Sequence, residues 1–157
     1  MLIEDNFIKI RSELISRLRK MHVKKDSNFE NLAIKTFRFQ AEYNPTYKTF
    51  VDLLKINPAS ISDYKDIPFL PVEAFRDHKV TTGEFSPEII YRSSGTTNSG
   101  KRSEHRVRTV DWYNEVSNRI YSSLVSPVND LTLFALLPGY IERKNASLVE
   151  MSRSFMK

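Results

Sequence analysis

The first half of the chain follows a helical pattern of apolar and polar positions. From residue 2 to residue 21, apolar residues recur at steps of three and four, which gives a helix one apolar face. Two start signals follow, a capping-box pair at Ser27 and Glu30 and then Asn44 before Pro45. We therefore predict a helical packing layer over residues 1–56. Its core stripes are Ile3, Phe7, Ile10, Leu14, Leu18 and Met21, then Phe29, Leu32, Ala33 and Phe37, then Tyr47, Phe50, Val51 and Leu54.

The middle of the chain lacks a regular period. Residues 57–87 hold four of the seven prolines. Pro68 and Pro71 exclude a continuous helix, because proline removes a backbone donor and constrains the residue before it. We predict an irregular linker over residues 57–87 that contains one short helix at residues 71–77.

The period changes to two near residue 88. Residues 88–93 are typical of a strand, and Ser103, His105 and Val107 alternate with charged residues in a second one. A helix then begins near Thr109, residues 131–138 are typical of a buried strand, and Asn145 is predicted to cap a last helix. The predicted inner face of the helix after Thr109 contains Tyr113, Val116, Ile120 and Leu124. Overall we predict an α/β fold whose region 88–157 supplies strands of a mixed sheet.

The amino-acid composition is that of a globular protein. A chain of 157 residues, 40% hydrophobic and 27% charged, is one globular domain in size and content. Because there is no cysteine, disulfides, thiolate metal sites and cysteine nucleophiles are excluded within these residues. The start of the chain has no unbroken apolar run, and no stretch of 18 apolar residues follows. We therefore expect a cytoplasmic protein without a membrane span.

The net charge of +5 suits a polyanionic partner. Part of the excess lies on the first helix, where a solvated helix face explains it. A second basic cluster brackets a polar stretch in the middle of the chain. Its members are Arg92, Lys101, Arg102, Arg106 and Arg108.

That stretch, SSGTTNSGK at residues 93–101, is called here the Ser/Thr/Gly segment. Its glycines and Lys101 nearly match the Walker pattern G-x-x-x-x-G-K-[ST], but Arg102 replaces the hydroxyl residue that binds magnesium. A Walker loop also runs directly into a helix, whereas the residues after Lys101 alternate as a strand does. A Walker loop is therefore disfavoured.

The segment still has the groups that phosphate binding requires. Its glycines let the backbone approach a ligand closely, its hydroxyls can donate to phosphate oxygens, and its lysine offsets charge. A polar hairpin tip without function is the alternative, although such tips are usually shorter. The candidate cofactor-binding residues are Ser93, Ser94, Gly95, Thr96, Thr97, Gly100 and Lys101.

At these residues the chain resembles the adenylate-forming enzymes. Residues 91–97, YRSSGTT, with the Gly- and Lys-containing tail, look like their phosphate loop, which is a strand–loop–strand. More narrowly, three blocks resemble the acyl-protein synthetases of bacterial luminescence operons. The blocks are IPFLPVEAFRDHKVTTGEF, the loop with Ser103 and His105, and LFALLPGYIERKNASLVEM, within residues 67–151. Asn98 departs from the pattern, since glycine is common there.

The resemblance implies an ATP-dependent ligase that forms an acyl-adenylate from a fatty acid or another carboxylate and transfers the acyl group to a protein thiol. ATP and Mg²⁺ would be the cofactors. The magnesium ligand, the ribose-binding aspartate and the mobile C-terminal domain of the family have no counterpart here. We therefore expect an N-terminal fragment of such an enzyme that does not turn over by itself.

Two residues are candidates for substrate binding. His105 shares a strand face with Val107, so it either packs there or contacts nucleotide or acyl group. Tyr140 belongs to the third block, near the acyl pocket that the resemblance implies, but a simple loop-to-helix junction explains it equally well.

Other classes of function remain open at this point. A relative that makes acyl-CoA or aryl-CoA would share the first half-reaction. A basic binding module without catalysis would bind RNA or a partner protein, with affinity that falls steeply with salt. No RNA-recognition motif is visible, and the aromatic residues lie mostly at core spacings, so we expect no nucleic-acid partner.

Overall fold

Two compact units make up the chain in the computed structural model. The helical unit comprises Met1–Ala74 and His78–Glu84, and the hairpin unit comprises Phe75–Asp77 and Phe85–Lys157. The residues that the structure describes are 2–21, 28–93, 101–130, 132, 134 and 145–156.

The helical unit is built around its second helix. The unit contains α1 (Leu2–Lys20), α2 (Phe29–Tyr43), α3 (Pro45–Leu53) and a 3-10 helix (Tyr64–Asp66). On one side of α2, Leu14, Leu32 and Phe39 are buried together with the apolar stripe of α1. On the other side, Phe37, Ala41, Tyr47 and Val51 form a second buried cluster. The predicted helices are confirmed. In the predicted α2 stripe, Leu32 and Phe37 are buried as expected, although in different clusters, whereas Phe29 is 46% exposed and its placement in the core is wrong.

One of the two predicted helix-start signals in this unit is a side-chain cap in the structure. The Asn44–Pro45 signal is confirmed, since the Asn44 side chain accepts a hydrogen bond from the Tyr47 amide at 3.1 Å. Helix α2 begins after Asn28 without a side-chain cap, one residue later than the predicted Ser27 cap, and Ser27 lies outside the described residues.

Helix α3 ends in a Schellman motif. The amides of Lys55 and Ile56 donate to the carbonyls of Asp52 and Val51, and Lys55 adopts the left-handed φ of 56° that this motif requires. The motif turns the chain away before another helical turn is completed. Leu54, predicted to be inward-facing, is consequently 48% exposed.

The proline-rich segment after α3 packs on the helices. Ile61, Ile67 and Leu70 pack against the second cluster. The Tyr47 hydroxyl donates to the Pro68 carbonyl at 2.5 Å, and the Arg38 guanidinium donates to three backbone carbonyls between residues 58 and 61. The segment has no long element of its own, as predicted, yet it completes the core of this unit.

The predicted short helix at residues 71–77 is α4 (Ala74–Asp77) in the structure. It is three residues shorter than predicted. Pro71 starts a turn, closed by a 3.0 Å hydrogen bond from the Ala74 amide to the Pro71 carbonyl, before the helical pattern begins.

The hairpin unit contains a small antiparallel sheet beside two helices. Its elements are β1 (Ile89–Arg92), β2 (Glu104–Val107), α5 (Val110–Leu124), a second 3-10 helix (Val128–Asp130) and α6 (Ser147–Phe155). The two strands and the helix start after Thr109 are confirmed. Helices and a sheet are thus both present, as a general α/β class requires. The mixed sheet stays a prediction, and most of the predicted strand at 131–138 lies outside the described residues.

Helix α5 packs on α6 through a face that includes Tyr113 of the predicted stripe and also Tyr121, which lies outside that stripe. The Tyr113 hydroxyl donates to the Ser147 carbonyl at 3.3 Å, and the rings of Tyr121 and Phe155 lie 4.7 Å apart. The predicted inner residues Ile120 and Leu124 are 45% and 58% exposed, so their placement in the core is wrong.

Helix α6 begins after Ala146, and the predicted cap at Asn145 is wrong. The Asn145 carbonyl accepts a 3.0 Å hydrogen bond from the Arg92 amide of β1. This contact holds residue 145 beside the strand, so the helix begins only after the next residue.

Candidate functional site

The β1–β2 hairpin positions the candidate site. Tyr91 lies directly opposite His105, and Arg92 lies opposite Glu104. Because opposite residues of an antiparallel pair share a face, the hairpin has one face with Tyr91 and His105 and another with Arg92 and Glu104. The Ser/Thr/Gly segment joins the two strands at the Arg92–Glu104 end.

The inner face of the hairpin packs against α5. Tyr91 is 2% exposed, and its ring centroid lies 5.2 Å from that of Tyr113 and 6.4 Å from that of His105. The Tyr113 and His105 rings are 6.3 Å apart. Partial burial lowers the pKa of His105, which favours the neutral imidazole. His105 is therefore packed on its strand face, one of its two predicted roles, while contact with nucleotide or acyl group stays a prediction.

The hairpin unit contains buried polar atoms without a hydrogen-bond partner. The Tyr91 hydroxyl is buried without a hydrogen-bond partner, and so are the Oδ1 atoms of Asn114 and Asn118 on α5. Burial raises the pKa of Tyr91 to about 12, with the carboxylates of Glu150 and Glu88 acting in the same direction. The Asn114 amide group donates to Glu150 Oε1 at 3.2 Å, which fixes the orientation of that side chain.

The outer face carries an ion network around one carboxylate. Glu104 Oε1 accepts from Nε and Nη2 of Arg92 at 3.1 and 3.0 Å. Glu104 Oε2 accepts from Nη2 of Arg106 at 2.6 Å. The hydrogen bond from Arg92 is the main cause that lowers the pKa of Glu104, and the charges of both arginines add to it. Two positive groups thus share a single negative one.

The base of the Ser/Thr/Gly segment is closed by two serines. The Ser93 amide donates to the Ser103 carbonyl, and the Ser103 amide donates to the Ser93 hydroxyl oxygen, both at 3.1 Å. In this contact the Ser93 hydroxyl oxygen accepts, so its hydrogen is not used there.

Lys101, at the other end of the segment, pairs with a carboxylate. Its Nζ lies 3.5 Å from Asp77 Oδ1, and Arg76 Nη2 lies 2.9 Å from Asp77 Oδ2. The hydrogen bond from Arg76 is the main cause that lowers the pKa of Asp77. Because the Lys101 side chain is 61% exposed, this pair is weak and a phosphate can compete for the ammonium group.

The structure places four of the five residues of the second basic cluster in three different environments. Arg92 and Arg106 share Glu104 on the outer face, whereas Lys101 pairs with Asp77. The Arg108 guanidinium lies 4.1 Å above the Phe85 ring, a cation–π contact.

The remaining predicted site residues lie outside the described residues. These are Ser94, Gly95, Thr96, Thr97, Gly100 and Tyr140. The sequence interpretation missed two acidic partners, Asp77 and Glu104. The alternation of β2 could have identified Glu104, because it lies on the opposite face from His105 together with Arg106.

Two kinds of feature are absent from the described part of the chain. Within it, no cluster of three or more histidine and acidic side chains has the geometry of a metal site. No helix in the same residues is long and apolar enough to cross a bilayer.

Comparisons with family models, with curated proteins and with solved structures find no match for the chain. The functional interpretation therefore rests on the residues of the hairpin unit and their geometry.

Proposed function

We propose that the chain carries the ATP-binding segment of an adenylate-forming enzyme of the acyl-protein synthetase type. The observation that supports this best is the antiparallel hairpin on both sides of the Ser/Thr/Gly segment. The resemblance implies a strand–loop–strand there, whereas a Walker loop would lead directly into a helix. In this chain β2 follows the segment, and α5 begins only at Val110.

The proposed reaction has two steps. A carboxylate oxygen of a fatty acid attacks the α-phosphorus of ATP, the bond to the β-phosphate oxygen breaks, and acyl-adenylate and pyrophosphate form. A protein thiolate then attacks the acyl carbon, and AMP leaves with the electron pair of the acyl–oxygen bond.

The segment would act on the first step by electrostatic stabilisation. Hydroxyl groups of Ser93, Ser94, Thr96 and Thr97 would donate to the β- and γ-phosphates, where charge increases as pyrophosphate leaves. Lys101 would exchange Asp77 for a phosphate oxygen, which the exposure of that pair permits. Mg²⁺ bound with ATP would offset further phosphate charge, and the resemblance implies that its acidic ligand lies outside these residues.

Gly95→Val tests this proposal. In an enzyme preparation that carries out ATP–pyrophosphate exchange, we expect the change to reduce the exchange rate at least about 100-fold. A β-branched side chain resists the turn and blocks the approach of phosphate to the backbone.

Ser122→Val is the matched control, because it places the same side chain on an exposed position of α5. Its exchange rate should equal that of the wild type. If Gly95→Val keeps its circular dichroism spectrum and also keeps its exchange rate, the segment has no part in the reaction.

The acyl acceptor distinguishes the proposed function from its nearest alternative. Transfer of labelled acyl groups to protein, resistant to added CoA, supports a synthetase. Formation of acyl-CoA instead identifies a CoA ligase. RNA binding that is independent of ATP and falls steeply with salt would support the basic binding module.

A further inference from the structure

Strand β1 meets both helices of the hairpin unit at one place, called here the β1–α5–α6 junction. The Arg92 amide of β1 donates to the carbonyl of Asn145, just before α6, at 3.0 Å. The Tyr91 ring lies 5.2 Å from that of Tyr113 on α5, and the Tyr113 hydroxyl donates to the Ser147 carbonyl of α6. Tyr91 therefore packs where the first turns of α5 and α6 meet.

Helix α5 presents polar side chains to α6 at this junction. Asn114, Asn118 and Tyr121 are spaced by four and three residues, so they lie on one face of α5. The first and the last of them contact α6. The Asn114 amide donates to Glu150 Oε1 at 3.2 Å, and the Tyr121 ring lies 4.7 Å from that of Phe155. Asn118, which lies between these two contacts on the same face, consequently faces α6 as well.

Three oxygen atoms of these side chains are buried and have no hydrogen-bond partner in the described part of the chain. They are the hydroxyl of Tyr91 and the Oδ1 atoms of Asn114 and Asn118. The orientation of the Asn114 amide is fixed, because exchanging its oxygen and nitrogen would direct the oxygen at the Glu150 carboxylate. All three oxygens can accept a hydrogen bond, and a buried acceptor without a donor is costly.

The Glu150 carboxylate adds negative charge beside these oxygens. Its side chain is 18% exposed, and its Oε2 lies 3.6 Å from Arg153 Nη1, whose side chain is 58% exposed. An ion pair of that length and exposure is weak. Burial raises the pKa of Tyr91 to about 12, and the charge of Glu150 acts in the same direction, so the carboxylate and the hydroxyl are close enough to interact.

We infer that the β1–α5–α6 junction binds the primary ammonium group of a small amine. An ammonium group has three N–H donors and no acceptor, which matches three unpartnered oxygens, and Glu150 offsets its charge. A single water molecule has fewer donors and no charge, so it suits the junction less well. The inference goes beyond the proposed function and does not rest on it, because none of these residues belongs to the Ser/Thr/Gly segment.

Methylammonium is the probe, and tetramethylammonium is its control, because it has the same charge without an N–H donor. Thermal unfolding of the 157-residue chain detects binding, since a ligand that binds only the folded state raises the Tm. We expect methylammonium to raise the Tm by about 2 °C or more, with saturation, and tetramethylammonium and K⁺ to leave it unchanged at equal ionic strength. An equal rise with either control cation, or no rise with methylammonium, would overturn the inference.

Tyr91→Phe and Asn118→Leu test the acceptors, because each change removes an oxygen that has no partner in the described structure. We expect each to weaken methylammonium binding about 10-fold or more without lowering the Tm of the amine-free protein. Ser122→Leu, at an exposed position of α5, is the control and should bind methylammonium as the wild type does. Wild-type affinity in both acceptor variants would show that these oxygens do not form the site.

Glu150→Gln and Arg153→Gln test the charge and should act in opposite directions. Loss of the carboxylate should weaken methylammonium binding about 10-fold, whereas loss of the arginine removes a competing cation and should not weaken it. Glu84→Gln is the control for net charge, since that side chain is 86% exposed in the helical unit, and its effect should stay below about 2-fold. If Glu150→Gln weakens binding no more than Glu84→Gln does, the inference is wrong.

Discussion

The two units of the chain differ in what they bury. In the helical unit, aromatic and aliphatic side chains from three helices form two buried clusters, and the buried Asn44 is hydrogen-bonded. The hairpin unit contributes only Tyr91 and Val107 to the buried apolar residues described. It also buries a tyrosine hydroxyl and two asparagine oxygens that have no partner.

This difference suggests different roles for the two units, stability of the fold for the helical unit and ligand binding for the hairpin unit. Buried apolar surface stabilises a fold at about 25 cal/mol per Å², whereas a buried polar atom without a partner costs about 1–3 kcal/mol. The hairpin unit contains three buried oxygen atoms without a partner and the ion network around Glu104, whereas the helical unit buries mainly apolar side chains. We expect substitutions in the helical unit to change mainly stability and those in the hairpin unit to change mainly binding.

The largest effect on stability should come from Phe37. It is 2% exposed in the second cluster of the helical unit, and Phe37→Ala should lower the free energy of unfolding by about 3–5 kcal/mol. Phe69→Ala is the control, because Phe69 is 85% exposed in the same unit, and its effect should stay within about 0.5 kcal/mol. Urea unfolding followed by circular dichroism measures both, and equal losses would contradict the assignment of the core.

Two tyrosine hydroxyls should respond in opposite ways. Tyr47→Phe removes the 2.5 Å hydrogen bond to the Pro68 carbonyl and should destabilise the protein by about 1–2 kcal/mol. Tyr91→Phe removes a buried hydroxyl that has no partner and should stabilise the protein by up to about 1 kcal/mol.

The same urea experiment measures the tyrosine pair, and each variant is the control for the other. A loss of stability in Tyr91→Phe as large as that in Tyr47→Phe would mean that the Tyr91 hydroxyl is hydrogen-bonded in solution. The hairpin unit would then bury fewer unpartnered polar atoms than the structure indicates, and it would differ less from the helical unit.

The smallest effect concerns the Schellman motif that ends α3. Lys55→Gly should stabilise the protein by about 0.5 kcal/mol, because relief of the left-handed φ of 56° exceeds the entropy cost of glycine. Lys48→Gly makes the same change inside α3 and should destabilise by about 1 kcal/mol. Thermal unfolding of both variants tests the difference in sign, and a loss in Lys55→Gly would contradict it.

Local signals in the sequence predicted the elements better than they predicted packing. The Asn44–Pro45 pair defines a helix start by itself, because cap and proline act within one turn. The alternation at residues 103–108 likewise predicted β2, whose side-chain period is two. These signals depend on neighbouring residues only.

The wrong predictions of packing and capping have their cause in tertiary contacts. Periodicity gave α2 a single apolar stripe, but the helix is covered on two sides, so Leu32 and Phe37 pack in different clusters. Asn145 is a good helix cap by type, yet its carbonyl is bound to β1. The Glu104 network required the pairing register, which fixes that Arg92 lies opposite Glu104. A stripe or a cap signal contains no information on such distant partners.

The hydrogen bond between Arg92 and Asn145 has a consequence for how the chain folds during its synthesis. Its two residues are 53 positions apart, whereas the paired Arg92 and Glu104 are 12 apart. At a synthesis rate of about 5–20 residues per second, the ribosome reaches residue 145 roughly 3–10 s after residue 92. The outer edge of β1 consequently lacks this partner for seconds in every nascent chain, and an unpaired strand edge can recruit a neighbouring chain. A slower ribosome would lengthen that interval, so codon choice between residues 92 and 145 should influence how much newly made protein aggregates.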